Sequence, residues 1–168
     1  MNLSNGLRYT APYHNYVTNY DFTSKTIEEN RALKDGTVLY ARWDNDLVWE
    51  ISDEEKTIGN YTVRKATTNS IELNKKHPNY PGKVTAWFCP EIPIPAGPAR
   101  YYGLPGLILE LKYQKDGSTY KLKSIEGADD YKFKNITTEN QVEKEDVIYF
   151  EHKNSTKVKE TQKLKKRS

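Results

Sequence analysis

A single cysteine, Cys89, removes intramolecular disulfides from the possible supports of this fold. It leaves the redox compartment open. No apolar run approaches the roughly 18 residues that span a bilayer, so no transmembrane segment is expected. Residues 1–20 lack the apolar core of a signal peptide, which predicts either a cytoplasmic chain or an internal or fragmentary start at Met1. The possible soft metal ligands are His14, His77, Cys89 and His152, and none has a neighbour at metal-binding spacing. Neither a nucleophile elbow nor a phosphate loop nor a dinucleotide fingerprint is present. No metal and no cofactor is therefore expected.

The charge is unevenly spread. Residues 157–168 carry +5, which leaves −2 on residues 1–156 out of the total of +3. A mildly acidic body is not the footprint of a nucleic-acid binder. The Lys-rich end reads as a solvated tail. What the chain does have is 36% hydrophobic residues and thirteen tyrosines in 168 residues. Tyrosine suits strands whose rings are packed and whose hydroxyls reach water. The length is that of one domain, expected over residues 1–156 with a basic tail at 157–168.

Turn signals punctuate the sequence. A short polar helix is expected from Thr23 through Leu33. Strands are expected at Val38–Trp43 and Leu47–Ser52, joined as a hairpin by Asp44-Asn45-Asp46. Asp53-Glu54-Glu55-Lys56 reads as a turn, and Thr57–Thr68 as a long strand that Gly59-Asn60 bulges. Val84–Phe88 and Leu107–Tyr113 read as strands, the second with Leu107, Leu109, Leu111 and Tyr113 on one face. Gln114-Lys115-Asp116-Gly117 turns the chain into Thr119–Ile125, with Tyr120 and Leu122 inward. Val147–Phe150 fits a helix or a further strand. The sum is a mainly β fold, an antiparallel, strongly curved sheet or half-barrel with minor helix. Its concave side is expected to carry Trp49, Tyr61, Trp87, Leu109, Leu111 and Tyr120.

The densest information lies between Trp87 and Leu111, where five prolines and three glycines interrupt apolar sequence. Proline fixes φ and removes a donor, and glycine opens conformations closed to other residues. The segment is thus a loop of defined shape. Trp87 and Phe88 bracket it on one side and Tyr101 and Tyr102 on the other, as aromatic walls of a binding rim would. Glu91 and Arg100 are its acid and its cation, readable as a general base with an anion anchor, or as braces of the loop. A lone carboxylate is no catalytic signature. Cys89 reads as a small buried thiol.

Gly103-Leu104-Pro105-Gly106-Leu107-Ile108 resembles the signature of the GLPGLI family of Bacteroidetes proteins. Thr85-Ala86-Trp87-Phe88-Cys89-Pro90-Glu91-Ile92-Pro93 and then Gly97-Pro98 follow that family's order upstream. Trp49, Lys56, Ile58, Gly59, Tyr61, Lys65 and Ala66 resemble its earlier element, with Asn60 inserted. The likeness covers roughly residues 45–126. Val63 and Cys89 depart from the pattern, standing where relatives often have Cys and Thr. The resemblance implies an exported, periplasmic protein, and no activity is attached to the family. Together these features suggest a non-enzymatic envelope protein that takes an extended peptide, a lipid or an envelope protein against its Pro/Gly loop. A purely structural module, or a hydrolase using Glu91 and Arg100, are the alternatives.

Overall fold

A computed structural model describes residues 7–10, 16–21, 23–71, 75–76, 78–125 and 135–149. The N-terminal part runs β1 (Leu7–Thr10), β2 (Tyr16–Asp21), β3 (Thr26–Ala32) and β4 (Val38–Asp44). These form a four-stranded antiparallel meander in the order β1-β2-β3-β4. Then come β5 (Glu50–Ile58), β6 (Tyr61–Asn69), β7 (Lys83–Cys89), β8 (Leu107–Tyr113) and β9 (Thr119–Lys121), a second meander in the order β5-β6-β7-β8-β9. One short helix, α1 (Lys144–Tyr149), follows. The fold is mainly β and antiparallel, as the sequence predicts, but the strands divide between two sheets and neither sheet closes on itself.

The predicted helix at 23–33 is not formed. Asp21 Oδ1 accepts from the N–H groups of Thr23 at 2.8 Å and Ser24 at 3.3 Å, and Lys25 adopts φ of 57°, which together make a hairpin turn. Thr26–Ala32 is then a central strand between β2 and β4. Its Glu-Glu-Asn-Arg-Ala favours helix locally. Tertiary bonds override this: Glu29 is fully buried, and the Asn30 amide donates to the carbonyls of Leu39 and Thr137.

The predicted hairpin of 38–43 with 47–52 is also replaced. β4 pairs with β3 and β5 with β6, so residues 45–49 carry the chain from one sheet to the other. Leu47 and Trp49 pack against the core of the second sheet along this crossing. The predicted turn at 53–56 lies inside β5, where the register shifts between Ile51 and Glu55. Gly59-Asn60 is a tight turn and not a bulge, with Gly59 at φ of 58°. Beyond the second sheet, residues 140–142 bond to Tyr40 and cover the outer edge of β4. Val147, the first residue of the segment read as helix or strand, belongs to α1 and is buried.

β8 follows its predicted bounds but not its predicted face. Trp87 pairs with Glu110 and Phe88 with Ile108, so Leu109 is an extra residue that bulges the strand. Ile108, Leu111 and Tyr113 therefore join Ala66, Val84, Ala86 and Phe88 on the inner face, with Tyr101 and Leu104 from the loop. Leu109 turns to the other face with Val63 and Cys89, where Ile58, Trp87, Ile92 and Leu107 close over them. The six residues predicted for one concave side are thus split. Tyr120 stands opposite Leu111 and beside the Tyr113 ring, on the face expected, but Tyr61, Tyr120 and Leu122 are exposed by 37%, 39% and 41%, so they lie outside the buried core. β9 is an edge strand among the described residues. The tail at 157–168 lies outside the described residues.

Leu109 is 2% exposed despite its changed face. Leu109→Ala is expected to cost about 2–5 kcal/mol, the range for large-to-small core changes. A denaturation midpoint equal to that of the parent would place the side chain outside the core.

Candidate functional site

The loop from Pro90 to Gly106 takes its shape from its prolines. Ile94 N–H donates to Ile92 O at 2.7 Å, Ala96 N–H to Ile94 O at 2.7 Å, and Gly106 N–H to Leu104 O at 2.8 Å. Each bond closes a three-residue turn centred on Pro93, Pro95 or Pro105. The fixed φ of proline lies close to that of an inverse γ-turn centre, which needs no N–H of its own. Leu107 N–H to Ile92 O at 2.9 Å and Ile108 N–H to Ala96 O at 3.0 Å fasten the loop to the start of β8. Gly103 has φ of 95°. Gly106 lies so close to the Cys89 carbonyl that a Cβ would stand 2.7 Å from its carbon. The hexapeptide is therefore shaped by backbone needs, with Leu104 and Ile108 buried, Leu107 half-buried and Pro105 exposed. Gly97 is buried and Pro98 half-buried at the next turn, where the Pro98 carbonyl accepts from Tyr101 N–H at 3.0 Å.

The six residues predicted for the site fall into three environments. Phe88 and Tyr101 are core residues of the second sheet. Tyr101 meets Trp49 and Tyr113 edge-on, and its hydroxyl accepts from Ile71 N–H at 3.2 Å. Tyr102 belongs to the junction with the first sheet, where it stacks on Tyr20 at 5.2 Å and packs on Ile27. Trp87 is half-buried on the outer face of the second sheet, and Glu91 is exposed at the first turn of the loop.

Arg100 is buried. Its Nε and Nη2 each donate to a different oxygen of Glu29 at 2.7 Å, a two-pronged pair between the loop and β3. The Thr18 hydroxyl donates to the same carboxylate at 3.2 Å, and the guanidinium lies 4.6 Å from the centre of the Tyr16 ring. Ala99 and Arg100 hold φ of 51° and 66°, left-handed values that cost about 1–2 kcal/mol each for residues with a Cβ. The pair with Glu29 offsets that cost. Glu91 and Arg100 are therefore not partners. Glu29 is the residue that sequence reasoning missed, because it was read as part of a polar helix.

On the outer face, Lys65, Trp87, Glu110 and Lys121 lie side by side across β6, β7, β8 and β9. Lys56 Nζ stands 4.3 Å over the Trp87 ring and 2.8 Å from Glu110. Val63, Cys89 and Leu109 form the apolar floor beneath, and Ile92 closes it from the loop side. A ring on an apolar floor with lysines around it can hold an apolar or anionic group. A separate cleft of about 320 Å³ lies among Asp46, Val48, Asn69, Ile71 and Lys144, and none of the predicted site residues lines it. Among the described residues, no three His, Cys, Asp or Glu are grouped to hold a metal; His14, His77 and His152 lie outside them.

A family model described as "Protein of unknown function (Porph_ging)" matches residues 74–110, which span β7, the loop and the first part of β8. The match includes Gly103–Ile108 and suggests a Bacteroidetes-type family. No curated protein matches the chain. The fold is similar to that of part of PNGF-II. Its structures in the P21 and C2 space groups align with TM-scores of 0.53 and 0.52, at 17% identity, over 83% of this chain. The chain spans 25% of the length of PNGF-II. At that identity the likeness shows the fold alone.

Removing Arg100 would leave the Glu29 carboxylate buried and unpaired. Arg100→Met is expected to lose about 3–5 kcal/mol in urea unfolding, and Arg100→Met with Glu29→Met to recover part of it. A double variant weaker than the single would show that the pair is not what the loop depends on. Burial, and then the Glu29 carboxylate, hold the Tyr102 hydroxyl far above the usual tyrosine range. The Thr18 hydroxyl beside it tempers that rise, though the Tyr102 hydroxyl completes no close hydrogen bond. A raised acid keeps its proton in the folded chain where the unfolded chain loses it. Its contribution is whole below about pH 10 and lost as pH rises beyond. Tyr102→Phe is expected to change stability at pH 7 by no more than about 1 kcal/mol and to flatten the alkaline fall. An alkaline unfolding curve parallel to the parent's would remove Tyr102 as its source.

Proposed function

We propose that this is a non-enzymatic cell-envelope binding or docking protein of the GLPGLI type, exported or periplasmic. Its contact surface is the outer face of the second sheet, centred on Trp87, with the first turn of the Pro/Gly loop as rim. Trp87 and Glu91 face the ligand. Phe88, Arg100, Tyr101 and Tyr102 stand behind the loop and fix its shape. The ligand is an extended peptide or another apolar group, for which the rigid rim is already ordered before binding.

One observation carries this reading: of the three rings Trp87, Tyr101 and Tyr102, only Trp87 reaches the surface. The family signature supports the envelope assignment, since it resembles that of exported proteins. One observation favours a structural or assembly module instead: a similar fold forms a quarter of PNGF-II, a far longer chain.

The test is co-purification from the native envelope followed by mass spectrometry. Aromatic anchors commonly contribute about 2 kcal/mol or more, so Trp87→Ala is expected to lose what the parent retains while still melting cooperatively. A folded Trp87→Ala protein that retains the same companions would move the site elsewhere.

A further inference from the structure

β9 is the last strand of its sheet, and its backbone alignment shows which of its groups are free. Tyr113 N–H donates to Ser118 O at 2.9 Å, and Leu122 N–H to Leu109 O at 2.8 Å. With Tyr120 opposite Leu111, residues 118, 120 and 122 direct their backbone groups to β8. Thr119 and Lys121 direct theirs the other way, and no other described element meets them.

The side chains of this edge also alternate. Tyr120 and Leu122 are exposed by 39% and 41%, with Ile125 at 53% just beyond. Lys121 and Lys123 alternate with them. Lys121 lies 3.7 Å from Glu110, but Glu110 already holds Lys56 at 2.8 Å. Lys112, paired with Thr119, adds a third cation to that face. The edge is thus an open ladder with apolar residues on one side and surplus positive charge on the other.

The opposite edge differs. β5 carries Glu50, Asp53, Glu54 and Glu55, and its register breaks between Ile51 and Glu55. Charges and a bulge are the usual means of blocking an edge against pairing. A second copy is a poor partner for β9. Antiparallel pairing of β9 with β9 would set Lys121 and Lys123 of one copy against those of the other on the same face, and like charges so placed destabilise a sheet.

We propose that the free edge of β9 is a strand-addition site for an extended segment of a partner protein in which apolar and acidic residues alternate. The segment takes its hydrogen bonds from Thr119 and Lys121. Its acids stand beside Lys112, Lys121 and Lys123, and its apolar residues extend the surface of Tyr120 and Leu122. This goes beyond the Trp87 surface and does not rest on it, because its readout is the amides of β9 and not co-purification.

The probes are a short labelled peptide alternating valine and glutamate and its valine–lysine counterpart, titrated into the full chain by anisotropy. The acidic peptide is expected to bind at least about tenfold more tightly at low salt, with the difference shrinking as salt is raised. Lys121→Glu with Lys123→Glu, both on the exposed edge, is expected to invert the preference. Bound acidic peptide is expected to slow hydrogen exchange at the amides of Thr119 and Lys121. Equal binding of the two peptides, an unchanged preference in the double variant, or unprotected amides at saturation would overturn the proposal. So would a dimer in sedimentation that the same double variant dissociates, since the edge would then serve a second copy.

Discussion

The buried pair of Arg100 and Glu29 is the constraint on which the other features depend. It joins a loop of the second sheet to the central strand of the first, across 71 residues of sequence. Two charges taken out of water are costly unless their geometry is good and their remaining atoms are bonded. Here the guanidinium fork meets both carboxylate oxygens, Thr18 donates to one of them, and the Tyr16 ring covers the cation. Such a pair tolerates little displacement, so it specifies one position of the loop relative to β3. The neighbouring contacts follow from that position. Trp49 Nε1 donates to the Tyr102 carbonyl at 3.0 Å, and Tyr102 stacks on Tyr20.

The loop contributes rigidity of its own. Three proline-centred turns shorten it without using backbone donors that it lacks, and Gly106 lets it pass against Cys89. A flexible loop would lose entropy on being pinned by one ion pair. A loop already shaped by proline loses less, so the pair with Glu29 and the loop's own backbone bonds together hold residues 99 and 100 in left-handed backbone. Rigidity within the loop and the anchor at Arg100 are therefore complementary.

The parts of this arrangement legible in the sequence are those with local causes. β7 and β8 read clearly because short apolar runs end in proline or in an Asp-Gly turn, and the loop because proline and glycine act on their own residue. What was not legible depends on partners far along the chain. Thr26–Ala32 reads as helix because the preferences of Glu, Arg and Ala are local, whereas its strand is imposed by Arg100 and by Thr137. The Asp44-Asn45-Asp46 turn signal is real, but Asn45 uses it to bond Tyr20 and the Tyr102 carbonyl and so to cross between sheets. The bulge at Leu109 has no composition cue, since Leu-Ile-Leu-Glu-Leu fits either face. Of the site, Trp87, Phe88, Tyr101 and Tyr102 read alike as aromatic walls of the loop, and no local signal tells the half-buried Trp87 from the three buried rings or shows that Arg100 is buried.

The same constraint divides the second sheet by function. On its inner face the loop delivers Tyr101 and Leu104 into the buried core. On the outer face Ile92 reaches in from the loop, and with Ile58, Trp87 and Leu107 it closes over a floor of Val63, Cys89 and Leu109. The Lys56 ammonium lies over the indole and is bonded to Glu110, so this face presents a cation and an aromatic ring together. Locking one face of a sheet in order to present the other requires an anchor on the locked side, and Arg100 supplies it.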